Sequence, residues 1–330
     1  MAWRETSEPV PERWQRFPFT QSEKLGNAIF GGGLEAVQLS GPDFGGSLAY
    51  HARDGIVFSS GLVLGKVEIR GRLPQDTFTF GLIVQAESGS GFWLNRVPDG
   101  TVGVLAPGSD VDAILTCPTL YITASLTREH LERKLAALCP SLPPDTFGEG
   151  AFRLSPLDSI ALSRIRQDIL RIHNSRGDIL GCGIGADMLS SVLKGLASEG
   201  RPARIEYPAD GRAHTAHLAR EFIRDNLTSN LTTQMIAAAA GVPARSLYRA
   251  FPEVIGETPQ SYLRKLRLNR IRCTLLGASE GATTVKSAAR RWRVDHDLGR
   301  LSGRYLSLFG ELPSETISRC HARKMAGNWM

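Results

Sequence analysis

The sequence predicts an α+β multidomain protein: an N-terminal β-barrel with flanking helices, then an all-α domain with two helix-turn-helix units. Three observations predict it. Of 330 residues, 42% are hydrophobic and 22% charged, an ordinary globular balance at a length suited to about two domains. From Leu34 to Ser125, short β-prone runs alternate with Gly, Pro, Asp and Ser clusters at the spacing of a small barrel or sandwich. Helical periodicity then takes over, and past Thr215 it repeats.

Residues 1–30, with Pro9, Pro11 and Pro18, read as an irregular arm. Strands are expected at Leu34–Ser40, Gly55–Ser59, Leu62–Arg70, Thr77–Val84, Thr101–Leu105 and Leu120–Ser125. Gly41-Pro42-Asp43, Pro98-Asp99-Gly100 and Pro107-Gly108 are turn sequences. Thr127 is a candidate N-cap for a helix with Leu131, Leu135 and Leu138 in a stripe. Further helices are expected over Asp158–His173 and Gly185–Leu196. The resulting division is 1–150 as a β-rich domain, 151–198 as a helical connector or dimerisation segment, 199–212 as a linker and 213–330 as the helical domain.

Charge is distributed unevenly. Ala213 to Met330 carries 18 Lys and Arg against 9 Asp and Glu, leaving 21 of the 39 cations and 24 of the 33 carboxylates elsewhere. A basic segment joined to a mildly acidic one points to polyanion binding by the last third. Other classes are disfavoured. No apolar run reaches membrane-span length, and the N-terminus lacks a cationic patch with an apolar core, so a cytoplasmic protein is expected. The five cysteines are scattered, without a Cys-x-x-Cys pair. Residues 1–212 hold only His51, His130 and His173, too few for a metal-dependent enzyme site. Neither a nucleophile elbow nor a Walker-type phosphate loop is present. No cofactor and no enzymatic activity are expected.

In the last third, Gly256-Glu257-Thr258-Pro259 recurs 54 residues on as Gly310-Glu311-Leu312-Pro313, and the same offset maps Leu247 onto Leu301 and Phe251 onto Tyr305. In the first unit Thr232 or Thr233 caps a short helix with Ile236 and Ala237–Ala240, and Gly241-Val242 makes the turn. The next helix, about Ala244–Phe251, buries Leu247 and Phe251 and presents Arg245, Tyr248 and Arg249. Such a helix fits a DNA major groove, where Arg can donate twice to guanine. In the second unit, Val285–Trp292 precedes a helix over Leu298–Leu308, capped by Asp295 or Asp297, with Gly299, Arg300, Ser302, Gly303 and Arg304 on its surface. Gly and Ser read bases poorly, so this unit is expected to grip phosphate or sense shape. A long helix, Gln260–Leu276, with Arg264, Lys265, Arg267, Arg270 and Arg272, separates the two.

These residues resemble the AraC/XylS family of bacterial transcription regulators. The resemblance is carried by Met235-Ile236-Ala237 through Gly241-Val242, Ser246 through Phe251, Gly256-Glu257-Thr258-Pro259, Leu298 through Ser302, and Tyr305 with Phe309-Gly310-Glu311-Leu312-Pro313. It implies seven helices, binding to asymmetric double-stranded promoter sites, and base contacts from Arg245, Tyr248 and Arg249, with Gly299, Ser302 and Gly303 in the second unit. Where the family has Gly-Phe before the second reading helix, this chain has Arg293-Val294 and added length. The resemblance further implies a cupin-like, effector-binding sensor in the first half, activation rather than repression, and RNA polymerase or a second copy of the chain as further partners.

Alternation along Leu62–Leu73 places Lys66, Glu68, Arg70 and Arg72 on one strand face, opposite Val67 and Ile69. With Arg53, Arg96 and Arg166, these cations could hold a small anionic effector. Because some regulators of this architecture respond to cyclic dinucleotides, cyclic di-GMP is the specific candidate. The alternatives are a cupin-type enzyme and a ligand-independent DNA-binding protein with a vestigial sensor.

Overall fold

A computed structural model describes residues 12–140, 147–175, 183–199, 202–277, 283–294 and 298–327. The chain forms two compact units: Trp3–Ala36 with Gly45–Glu206, and Val37–Phe44 with Tyr207–Met330.

The first unit is built on antiparallel strands: β1 (Gln15–Phe19), β2 (Glu35–Gln38), β3 (Gly45–Arg53), β4 (Ile56–Leu64), β5 (Val67–Arg72), β6 (Thr77–Ala86), β7 (Gly91–Phe92), β8 (Asn95–Arg96), β9 (Val102–Leu105), β10 (Asp110–Leu115) and β11 (Thr119–Thr127), with β12 (Ala151–Leu154) and β13 (Ala203–Arg204) later in the chain. One sheet has the order β1-β3-β4-β11-β6-β9-β12-β13 and the other β2-β5-β10-β7-β8. Three helices, α1 (Arg128–Leu138), α2 (Ser159–Asn174) and α3 (Ile184–Glu199), cover the larger sheet. Alternation explains the layering. Phe78, Phe80, Leu82 and Val84 of β6 and Leu120, Ile122, Ala124 and Leu126 of β11 share one core with Leu131, Ile165, Ile169, Met188 and Leu193 from the helices. The residues between them face the second sheet.

Caps set the helix starts. The Thr127 side chain accepts from the His130 amide, and Asp158 accepts from Ile160 and Ala161. At the far end of α2, His173 is buried between Ser47 of β3 (Nδ1 to Oγ, 2.7 Å) and Ser60 of β4 (Nε2 to Oγ, 3.0 Å). Ser60 spends its own proton on the Tyr121 carbonyl, 2.7 Å away, so Nε2 carries the ring proton and Nδ1 accepts from Ser47. Burial, then the nearby Arg16 charge, lowers the His173 pKa to about 4.

Several expectations need correction. The run Leu62–Leu73 is not one strand: Gly65 (φ 117°) ends β4, and β5 begins at Val67. Lys66 therefore lies in the turn, and Glu68 is fully buried rather than solvated. The expected arm contains β1, which pairs with β3 from Gln15↔Tyr50 to Phe19↔Gly46. The segment 151–198 is no separate connector, because β12 pairs with β9 and α2 and α3 complete the first core. Within the expected linker, β13 pairs with β12.

The second unit contains seven helices among the described residues: α4 (Gly211–Asp225), α5 (Thr233–Ala239), α6 (Ala244–Ile255), α7 (Pro259–Leu276), α8 (Val285–Arg291), α9 (Leu298–Phe309) and α10 (Pro313–Gly327). No described helix is long and apolar enough to cross a membrane.

Candidate nucleic-acid interface

Each half of the second unit builds a short helix, a tight turn and an exposed second helix. In the first, the Thr232 hydroxyl caps α5 by accepting from the Met235 amide (3.2 Å). Ile236 and Ala237 are buried, and the small alanines let α6 cross closely. Gly241 takes the left-handed conformation (φ 67°), so that its amide reaches the Ala238 carbonyl (3.0 Å) and the Val242 amide the Ala237 carbonyl (3.1 Å). Helix α6 buries Leu247, Ala250, Phe251 and Ile255, with the Phe251 and Tyr262 rings 5.6 Å apart.

The opposite face of α6 carries Arg245, Tyr248 and Arg249 at i, i+3 and i+4, all exposed. The Tyr248 hydroxyl lies 3.2 Å from Thr233 Oγ1, which also accepts from Gln260 Nε2 (3.4 Å). The phenol is thus held over the start of α5, while the two arginines point outward.

The second half reproduces this turn with different residues. Arg293 occupies the left-handed position (φ 58°), its amide donates to the Arg290 carbonyl (3.2 Å), and the Val294 amide reaches the Ala289 carbonyl (2.9 Å). Gly241-Val242 and Arg293-Val294 are therefore the same turn, offset by two residues fewer than Leu247 and Leu301. The added length falls between that turn and α9. The expected caps Asp295 and Asp297 lie outside the described residues.

Arg293 also has a side-chain task. Its Nε donates to the Thr228 carbonyl (3.0 Å), while Arg267 on α7 donates to the flanking carbonyls of Leu227 (2.9 Å) and Ser229 (2.6 Å). Two guanidinium groups thus hold three successive carbonyls between α4 and α5, joining the second turn to the first half. Burial, then the Arg293 charge, lowers the Arg267 pKa.

On α9, Leu301, Tyr305 and Leu308 are buried. Gly299, Arg300, Gly303 and Arg304 are exposed, and Ser302 is half-buried. A Cβ built on Gly299 or Gly303 meets nothing within 4 Å, so internal packing does not require either glycine.

The Gly-Glu-x-Pro repeat has a physical role in both halves. Glu257 accepts from Ser261 (3.0 Å) and pairs with Lys265 (2.9 Å). Glu311 accepts from Thr316 (2.7 Å) and pairs with Arg272 and Arg319. Burial pushes the Glu311 carboxyl up, but hydrogen bonds from Arg319, Thr316 and Arg272 outweigh it, leaving the pKa below the ordinary value. Much of the basic character of α7 is therefore structural: Lys265, Arg267 and Arg272 have partners inside this unit. No sequence signal singled out Glu311 as a shared anchor, because its partners come from α7 and α10.

The six expected effector cations are distributed over β3, β5, β8, α2 and the turn before β5. Arg70 pairs with buried Asp112 (3.4 Å), its register partner on β10. Arg72 Nε donates to the Gly108 carbonyl (2.8 Å). Arg166 binds Asp99 (2.7 Å) and the Val84 carbonyl (2.8 Å), and Arg53 pairs with Asp54 (3.6 Å). Lys66 is half-buried, and Arg96 is exposed on β8. Arg53, Arg70, Arg72 and Arg166 thus already have internal acceptors.

Residues 236–319 match the family model of a helix-turn-helix domain. The chain is 37% identical over 100 residues to a XylDLEGF operon transcriptional activator of Pseudomonas putida, covering 30% of this chain and 31% of that protein. It is 28% identical over 210 residues to a probable thc operon regulatory protein of Rhodococcus erythropolis, covering 61% of each. A crystal structure of a probable AraC family transcriptional regulator from Rhodopseudomonas palustris is 30% identical, with a TM-score of 0.30, covering 32% of this chain and 96% of that one. The match thus spans about a third of the length of the Pseudomonas activator.

Proposed function

We propose that the chain is a transcription regulator of the AraC/XylS family, which recognises a specific promoter sequence through α6 and grips the adjoining DNA through α9. One observation carries the reading: Arg245, Tyr248 and Arg249 form an exposed face on a helix whose other face is buried. Arg245 and Arg249 donate to base edges, and Tyr248 supplies an anchored hydroxyl. Arg300 and Arg304 contact phosphate, while Gly299, Ser302 and Gly303 let α9 approach the backbone closely. The name of the Pseudomonas relative, an operon activator, favours activation of nearby genes; this reading takes RNA polymerase and a second copy of the chain as further partners.

In this reading the first unit senses a small molecule whose binding changes the population of the DNA-competent state. Cyclic di-GMP, the anionic candidate, would require Arg70 and Arg166 to exchange their own carboxylates for phosphate.

Binding of the full chain to DNA fragments from around its own locus, measured over a salt series with and without cyclic di-GMP, tests the reading. Sequence-selective binding that weakens with salt is expected. Arg249→Ala should cost about 1–3 kcal/mol and relax preference at one base pair. Equal weakening on every sequence would instead place Arg249 on phosphate, and no selective binding would overturn the reading.

A further inference from the structure

On α9, the face opposite buried Leu301, Tyr305 and Leu308 carries a row at i, i+3, i+4 and i+7: Gly299, Ser302, Gly303 and Leu306. A helix lying along a major groove reaches base edges with that spacing, so these four positions set what α9 can read. The offset of 54 residues places them against Arg245, Tyr248, Arg249 and Pro252 of α6.

The two helices distribute their side chains in opposite ways. Helix α6 carries long polar groups in its first two turns and a half-buried proline in the third. Helix α9 has two glycines in its first two turns and one long side chain, Leu306, in the third. That leucine is 44% exposed, whereas Leu301 and Leu308 of the same helix are 0% and 5% exposed. Its methyls therefore contribute little to the core of this unit.

The glycines do not serve the fold either. A Cβ at either position would meet nothing within 4 Å, and neither residue has a positive φ. Their effect is to thin the helix on one side. A duplex can approach α9 more closely there by the depth of a side chain, and that approach brings the third turn down to the groove floor.

The chemistry of the row decides which base it selects. Guanine and adenine are read by paired bonds from Arg, Lys, Asn or Gln, and cytosine by a carboxylate. None of those residue types stands in the row, and the Ser302 hydroxyl suits any base. Leucine offers only methyl groups, and the apolar feature of the major-groove edge is the 5-methyl group of thymine. Arg300 and Arg304, exposed beside the row, supply the positive charge that holds the phosphates alongside.

We propose that Leu306 is a specificity-determining residue: it packs against thymine 5-methyl groups in the major groove, with Gly299 and Gly303 giving it the reach. This role for Leu306 presupposes the DNA-binding reading above.

The test starts with duplexes selected from a random pool by the full chain. Two enriched segments are expected. One is relaxed in Arg249→Ala and so faces α6; the other faces α9 and contains thymine. Uracil differs from thymine only by lacking the methyl. At a contacted base in the α9 segment, uracil should weaken binding about fourfold, the effect of burying one methyl. In the α6 segment it should change nothing. Leu306→Ala should bind thymine and uracil duplexes equally, at the weaker affinity and with Tm maintained, because alanine suits an exposed helix position. Ile160→Ala, which trims an exposed side chain of the first unit, should keep the full uracil effect.

An α9 segment without thymine, or equal binding of thymine and uracil duplexes by the unaltered protein, overturns the role of Leu306 and leaves α6 as a reader. A uracil effect that persists in Leu306→Ala overturns it too. Leu306→Ala that keeps its DNA affinity but loses activation of a reporter gene assigns the side chain to a protein partner instead. No enriched sequence at all overturns the regulator reading together with this role.

Discussion

His173 shows how one side chain can make stability depend on pH. Its ring is neutral in the folded state because burial, then Arg16, disfavours the charge, and its pKa is about 4 against an ordinary 6.5. Above pH 6.5 the folded and unfolded chains both hold the neutral ring, so the contribution is flat. Between pH 6.5 and 4 the unfolded chain takes up a proton that the folded chain refuses, and stability falls as pH falls. The full loss is about 3 kcal/mol. Urea unfolding midpoints from pH 7.5 to 4.5 should show this decline, and His173→Gln should flatten it. An undiminished decline in the variant would place the titrating group elsewhere. Burial was not visible in the sequence: His173 reads there as the last turn of a helix, and only β3 and β4 bring Ser47 and Ser60 to it.

At the scale of the element, α9 is the informative helix. Two glycines at i and i+4 cost helix stability, and nothing inside the protein occupies the space beside them. Gly303→Ala, in the interior of α9, should stabilise the fold by about 1 kcal/mol in urea unfolding, and Gly299→Ala, in its first turn, by less. Both should weaken DNA binding if the bare face lies against the sugar-phosphate backbone. Tighter DNA binding in either variant would remove α9 from close approach. The strands teach a complementary lesson. Helices with clear caps, at Thr127, Asp158 and Thr232, were legible to within a residue or so, because a cap is a local event. Strand β5 was read as part of a longer strand because the alternation of residue types runs on through Gly65, whose φ of 117° ends β4.

For the whole molecule, the basic last third, the repeat at offset 54 and the helical periodicity together specified a helix-turn-helix domain. Those signals are short-range or self-similar, so a single sequence carries them. The first unit was legible only as strand-rich. Its sheet order and the return of β12 to β9 depend on pairings between distant segments. The anionic-effector expectation rested on counting cations along one strand. The fold supplies carboxylates or carbonyls for four of them, which the count could not anticipate.

The bond from Arg293 to the Thr228 carbonyl has a consequence for the DNA rather than for the protein. Glycine would relax the second turn, but it would also release the link to the first half. If α6 and α9 read DNA as proposed, an arginine kept there at a conformational cost makes the two helices behave as fixed calipers. Duplex DNA turns roughly 34° and advances about 3.4 Å with each base pair. Inserting one base pair between the two contacted segments would therefore rotate the second out of reach of α9. Binding to such a site should fall to that of α6 alone, and Arg293→Gly should recover part of it by letting the calipers open.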